Sequence, residues 1–91
     1  MGAAAVVTVH NKLGLHTRPA KEFVQTANRF EAKIEVAKGG GVPVNGKSIM
    51  GLMSLLVPQG TEIRISAEGP DAQQAVDALC ELVRQRFGEE E

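Results

Sequence analysis

With 91 residues, ten basic and eleven acidic side chains and a formal net charge of −1, the chain reads as one small domain. A core of that size leaves no room for a deep substrate pocket, so a stand-alone enzyme is disfavoured and chemistry is expected at the surface, beside a larger partner. The balanced charge excludes nucleic acid as the main partner, and the single cysteine, Cys80, excludes an internal disulfide and suits a reducing compartment.

The first nine residues are apolar, yet they carry no positively charged start and are too few to span a bilayer. Val6 also stands where an N-myristoylation pattern requires Ser or Thr. These features predict a soluble, cytoplasmic chain without membrane insertion. Val7 and Val9 alternate with Thr8 and His10, the period of a half-buried strand with His10 on its polar face. Residues 11–14 read as a turn. Ala20, Phe23, Val24 and Ala27 then fall at helical spacing and predict a helix over about residues 17–29. Ala32, Ile34 and Val36 alternate with Lys33 and Glu35 in a second strand. Gly39, Gly40 and Gly41 form a flexible hairpin connection to a short third strand at 42–44; no Lys-Ser/Thr and helix follow directly, so the run is not a phosphate loop.

Asn45-Gly46 is a turn signal, and Ser48 is placed to cap a short helix over about residues 49–56, stopped by Pro58 and Gly60. Ile63, Ile65 and Ala67 alternate with Glu62, Arg64, Ser66 and Glu68 in the clearest strand of the chain. After Gly69-Pro70, the residues Ala72, Ala75, Val76, Leu79, Leu82, Val83 and Phe87 trace one face of a last helix, with Cys80 packing beside them and Gly88 fitting its C-terminal cap. The acids at 89–91 read as a solvated tail, so residues 1–91 form a single domain with an ordered core at about 5–88. The order βαββαβα, with each strand apolar on one face only, predicts an α+β fold: an open-faced β-sandwich whose four-stranded, mainly antiparallel sheet is covered on one face by three helices. Strand order does not follow from the pattern.

The chemistry concentrates in Gly14-Leu15-His16-Thr17-Arg18-Pro19-Ala20, where the first strand gives way to the first helix. Pro19 is tolerated in a first helical turn because its missing N–H has no partner there. His16 therefore falls at the N-cap. The backbone N–H groups of Thr17 and Arg18 are free to point at whatever the ring carries, with the positive end of the helix behind them. A ring nitrogen at that position can attack phosphorus, and the amides and the Arg18 guanidinium can hold the phosphoryl oxygens. No metal, cofactor or dedicated base is required on this chain. Spacing alone is equally met by a plain capping histidine and a surface arginine.

This stretch resembles the active-site sequence of the HPr family, the histidine phosphocarriers of the bacterial phosphoenolpyruvate-dependent phosphotransferase system. The run Asn45-Gly46-Lys47-Ser48-Ile49-Met50-Gly51-Leu52-Met53-Ser54-Leu55 resembles the second signature of that family. The resemblance extends from about Val7 to Phe87. It implies phosphorylation of His16 at Nδ1 by Enzyme I, stabilisation of the phosphate by Arg18, and acceptors that are A domains of Enzyme II sugar permeases or their nitrogen-related regulatory counterparts. It also implies a four-stranded antiparallel sheet backed by three helices, and a carrier rather than an independent enzyme.

Ser48 has two readings. Structurally it is an N-cap worth about 1 kcal/mol. The resemblance matches it to the regulatory serine phosphorylated by HPr kinase/phosphorylase, and a phosphate there is favoured by a helix dipole. The short helix is also more apolar than one buried stripe requires. Leu52, Leu55 and Leu56 can face the core, which leaves Ile49, Met50 and Met53 near His16, although core packing accounts for at least one of these three. With Thr17 and with Gly51, whose lack of a side chain permits close approach, they form the expected partner-docking surface. Gln25 and Asn28 stand where some relatives carry lysines. Residues 11–13 and 87–91 look like the nitrogen-related branch, whereas the Ser48 region looks like the sugar-transport branch. The competing reading is a regulatory HPr-like module acting through Ser48 and protein contacts; such modules lack the active histidine, which this chain has.

Overall fold

The computed structural model describes residues 1–89. Strands β1 (Gly2–Thr8), β2 (Lys33–Lys38), β3 (Val44–Asn45) and β4 (Glu62–Glu68) form one sheet in the order β1-β4-β2-β3, with every neighbouring pair antiparallel. Helices α1 (Thr17–Ala27), α2 (Ile49–Ser54) and α3 (Ala72–Arg84) supply the second layer, and a 3₁₀ turn, Arg86–Gly88, follows α3. This is the α+β, open-faced arrangement expected from the alternating pattern. No helix among the described residues is long and apolar enough to cross a membrane.

Side-chain alternation accounts for the register. Ile63, Ile65 and Ala67 of the central strand β4 all face the core. On one side they pair with Val7, Ala5 and Ala3 of β1; on the other, Ile65 and Ala67 pair with Val36 and Ile34 of β2. Slipping β4 by one residue would turn Glu62, Arg64 and Glu68 into this apolar layer. Phe23, Val24 and Ala27 from α1, Leu52 from α2, and Ala75, Val76, Leu79, Cys80 and Val83 from α3 close the core from above. Burial pushes the Cys80 thiol up, as suits a packing cysteine rather than a reactive one.

Four local expectations are corrected. Strand β1 starts at Gly2, ahead of the Val7/Val9 alternation, because pairing with β4 through Gly2↔Glu68 orders a stretch of small residues that carries no signal of its own. The third strand is displaced to Val44–Asn45, since Pro43 has no N–H to give to the ladder and Val42 is exposed. Helix α2 stops at Ser54. Leu56 takes a left-handed φ of 54° and is 75% exposed, so Val57 fills the core position expected of Leu56.

The fourth correction matters most for the site. Helix α3 ends at Arg84 and Gly88 does not cap it. Arg86 and Phe87 both adopt left-handed φ values, 56° and 55°, at a cost of about 1–2 kcal/mol each. Complete burial of the Phe87 ring, worth about 2–3 kcal/mol, offsets most of that strain. The resulting turn packs against α1 and delivers residues 87–89 to the start of that helix.

Asp71 is the N-cap of α3, yet its carboxylate does not cap its own helix. It accepts the backbone N–H groups of Glu31 and Ala32, both at 2.9 Å, and so pins the start of α3 to the entry of β2. The bond from Glu31 is the main cause holding its carboxyl below the usual range; partial desolvation works against it, and the bond from Ala32 and the charge of Lys47 reinforce it. A carboxyl lowered by folding stabilises above its unfolded pKa, and that contribution disappears as pH falls through the lower folded value. Thermal melts should therefore show part of the wild-type stability being lost as pH falls below about 4, with a shallower loss in Asp71→Asn. Parallel pH profiles would remove Asp71 from the account of acid sensitivity.

Candidate functional site

The site begins with a constrained turn. Gly14 has φ +68°, accepts Asn11's side-chain N–H through its carbonyl at 2.6 Å, and donates its own N–H to the Asn11 carbonyl at 3.0 Å. A Cβ on Gly14 would collide with the Val57 carbonyl oxygen and lie 2.9 Å from Pro58 Cα. Only glycine permits that approach, and it lets the Leu15 N–H donate to the Val57 carbonyl at 2.9 Å while the Leu15 side chain enters the core. The chain is thus anchored on both sides immediately before His16.

His16 is the N-cap of α1, extended at φ −85° and ψ −170°, and its carbonyl accepts the Ala20 N–H at 2.9 Å. Its side chain makes no capping bond, so the ring faces outward with 32% of its surface exposed. Pro19 lies in the first turn, as expected, with its ring buried. The Thr17 and Arg18 amides are the first-turn N–H groups that helix geometry leaves without an intrahelical acceptor.

Two residues that the sequence reading left out complete the site. Glu89, placed in the solvated tail at the sequence level, is only 19% exposed along its side chain. Its Oε2 lies 3.1 Å from His16 Nε2 and accepts from Arg18 Nη1 at 2.9 Å; its Oε1 accepts from Asn11 Nδ2 at 2.9 Å. The remaining tail acids, Glu90 and Glu91, lie outside the described residues. Arg18 Nη1 also reaches the Phe87 carbonyl, at 3.4 Å. Partial desolvation acts to raise the Glu89 carboxyl. The bonds from Asn11 and Arg18, and the charge and hydrogen bond of His16, outweigh it, so the group lies below the usual carboxylate range.

Asn11 is fully buried, and its amide orientation is decided by chemistry. Both neighbours of Nδ2, the Gly14 carbonyl and the Glu89 carboxylate, are acceptors, so the NH₂ end must face them. That leaves Asn11 Oδ1 without a partner among the described residues. A buried polar side chain in a turn beside a reactive residue is a signal that sequence alone can offer only weakly, because asparagine is equally at home in exposed turns.

Helix α2 supplies the neighbouring surface. Thr17 Oγ1 donates to Met53 Sδ at 3.6 Å, which ties the exposed face of α1 to that of α2. Met50 is 84% exposed, and Ile49 and Met53 are each just over a third exposed, so all three lie outward and none is taken up by the core, against the expectation that at least one packs there. A side chain on Gly51 would meet the Asn45 carbonyl and Ser48, each at 3.3 Å, so the small size of this residue also serves an internal contact. Ser48 caps α2 by accepting the Gly51 N–H at 3.0 Å. No hydrogen bond or ion pair among the described residues joins Ser48 to His16 or Arg18. Among the same residues, no group of three or more His, Cys, Asp or Glu is gathered in a metal-binding arrangement.

Residues 4–85 match the family model described as the phosphotransferase-system HPr component phosphorylation site. The chain is 45% identical over 85 residues to the phosphocarrier protein HPr of Neisseria meningitidis, covering 93% of this chain and 94% of that protein. It is 49% identical over 79 residues to the HPr-like protein Crh of Bacillus subtilis, covering 87% and 92%. Its fold superposes on the crystal structure of HPr-C-His from Thermoanaerobacter tengcongensis with a TM-score of 0.91 and 47% identity, over 98% and 99% of the two chains.

Proposed function

The chain belongs to the HPr family of phosphocarriers, proteins that carry phosphoryl groups rather than act as independent catalysts, and from that premise we propose that His16 takes a phosphoryl group at Nδ1 from Enzyme I and passes it to an Enzyme II A domain or a nitrogen-related counterpart. The observation that carries this reading is the seat at the start of α1. An outward-facing imidazole, an exposed guanidinium and two first-turn amides without an intrahelical acceptor meet there, and a carboxylate is already held between ring and guanidinium.

The transfer follows from those groups. The Nδ1 lone pair attacks phosphorus, the donor's bond to phosphorus breaks, and its electron pair returns to the donor. The Thr17 and Arg18 amides and the Arg18 N–H groups not engaged by Glu89 receive the phosphoryl oxygens. The positive end of α1 then stabilises charge in a place half open to solvent, where a second protein can reach the group. Thr17, Ile49, Met50, Gly51 and Met53 provide the docking surface, an apolar patch whose methionines adapt to several partners. Ser48 is the regulatory position for an HPr kinase/phosphorylase. Phosphorylation there would replace the present Gly51 cap with a charged one beside the docking patch. The relationship to Crh favours keeping a regulatory role in view, while His16 at the helix start favours the relay. Cytoplasmic placement accords with the single free Cys80.

Incubation with Enzyme I and phosphoenolpyruvate should give one acid-labile, base-stable phosphate per chain; absence of label, or an acid-stable label alone, would reject the relay. In the same assay Arg18→Ala should slow transfer about ten- to a hundredfold. Because the Arg18 head group is 52% exposed, its loss should change folding stability by less than about 1 kcal/mol. A variant that loses stability while its folded fraction transfers at the normal rate would contradict the assigned role.

A further inference from the structure

Glu89 is the least expected member of the site, and its three partners share one geometry. The backbone turn at Arg86 and Phe87 carries it to the start of α1. Asn11, buried and oriented by the Gly14 carbonyl, grips Oε1, while Arg18 grips Oε2. Oε2, already accepting from Arg18, keeps one lone-pair direction for a second donor, and His16 Nε2 fills it at 3.1 Å. An ionised carboxylate only accepts, so the ring nitrogen facing it carries the proton. In the neutral ring, Nδ1 then carries the lone pair.

We propose that Glu89 is a positioning residue for phosphoryl transfer: held by Asn11 and Arg18, it keeps the imidazole proton on Nε2, so that Nδ1 both takes and releases the phosphoryl group. This rests on the relay reading given above. When the Nδ1 lone pair forms a bond to phosphorus, the donor's bond breaks and the ring, still protonated at Nε2, acquires positive charge. Glu89 balances that charge at 3.1 Å without itself taking the proton. On release the N–P electron pair returns to Nδ1, and the ring leaves as neutral imidazole. Without the Nε2 proton it would leave as imidazolate, a far poorer leaving group. Among the described residues, the charged groups at the ring are Glu89 from beyond α3 and Arg18 from α1, with the α1 dipole; α2 contributes apolar Met53, which is bonded to Thr17 of α1. Among the described residues, Glu89 is the carboxylate that meets the ring nitrogen.

The test is an NMR titration of the His16 ring, free and phosphorylated, in the full chain and in Glu89→Ala, Glu89→Gln and Glu89→Asp. Removal of the carboxylate in the Ala and Gln variants should lower the midpoint of the phosphorylated ring by roughly one pH unit, with a similar displacement for the free ring. Onward transfer above neutral pH should fall about tenfold for the same reason, and the Asp variant should recover part of both effects. A residue that merely closed the fold would leave the midpoints unmoved. Midpoints within about 0.2 units of wild type in both the Ala and Gln variants would overturn the inference, set against the unit shift expected of a lost carboxylate. Failure of the wild-type protein to accept phosphate would instead strike the relay reading, and the free-ring titration would still report whether Glu89 holds the ring proton.

Discussion

His16→Ala is expected to abolish phosphate acceptance completely while leaving the domain folded. The ring is outward-facing and its only side-chain partner among the described residues is Glu89, so its removal strands no buried donor. The capping geometry of α1 uses the His16 backbone, whose carbonyl still accepts the Ala20 N–H. The stability change should therefore stay within about 1 kcal/mol, the usual range for a partly exposed ion pair. The loss of transfer should be total because the other histidine, His10, is exposed beyond the end of β1, away from any helix start, and no hydrogen bond or ion pair among the described residues joins its ring to an arginine or a carboxylate. Label incorporation from phosphoenolpyruvate and Enzyme I, measured beside a thermal melt, checks both halves. Residual label at the wild-type rate would place the chemistry on another residue, and an unfolded variant would make His16 a structural residue.

Gly14→Ala should be the most damaging single methyl group near the site. The residue sits at φ +68°, where a Cβ costs about 1–3 kcal/mol, and that Cβ would strike the Val57 carbonyl and the Pro58 backbone. Relieving the clash requires breaking the Leu15–Val57 hydrogen bond, worth about another 1 kcal/mol. A total loss near 3 kcal/mol is a large share of the about 5–15 kcal/mol that holds a small domain together. Because this same turn aims His16, phosphate acceptance in the fraction that remains folded should also fall. Urea unfolding of Gly14→Ala, followed by transfer assays at temperatures where it is folded, separates the two effects. Wild-type stability would mean that the turn relaxes freely and does not position the histidine.

The parts of this structure that were legible in the sequence are those governed by short-range pattern. Alternation in 63–67 and 33–36 specified which faces are buried, and the spacing of Ala20, Phe23, Val24 and Ala27 specified which side of α1 packs. The helix start at Thr17 was legible because Pro19 restricts where a first turn can fall. The parts that were hidden depend on distant contacts. Gly2–Val6 contains no alternation, and its strand exists because β4 pairs with it. Leu56 looks like a core residue until the left-handed backbone after α2 turns it outward and admits Val57.

The candidate site shows the same division. His16, Thr17 and Arg18 lie within three consecutive positions and share one helix start, so local rules found them. Glu89 reaches that start from 71 positions beyond Arg18, across a turn built by two left-handed non-glycine residues. Nothing in a run of three terminal acids distinguishes a solvated tail from a ligand of an arginine. The physical difference is the buried Phe87 ring, which fixes where the chain turns, and the buried Asn11 amide, which holds the first acid in place.

The central claim is that an imidazole at the start of α1 carries the phosphoryl group on Nδ1. It is tested most directly by ¹⁵N–³¹P correlated NMR on the protein freshly phosphorylated by Enzyme I. The account predicts a single phosphorus signal coupled to Nδ1 of His16, with the proton retained on Nε2. Phosphorus attached to Nε2, to His10 or to the Ser48 oxygen under the same conditions would contradict it.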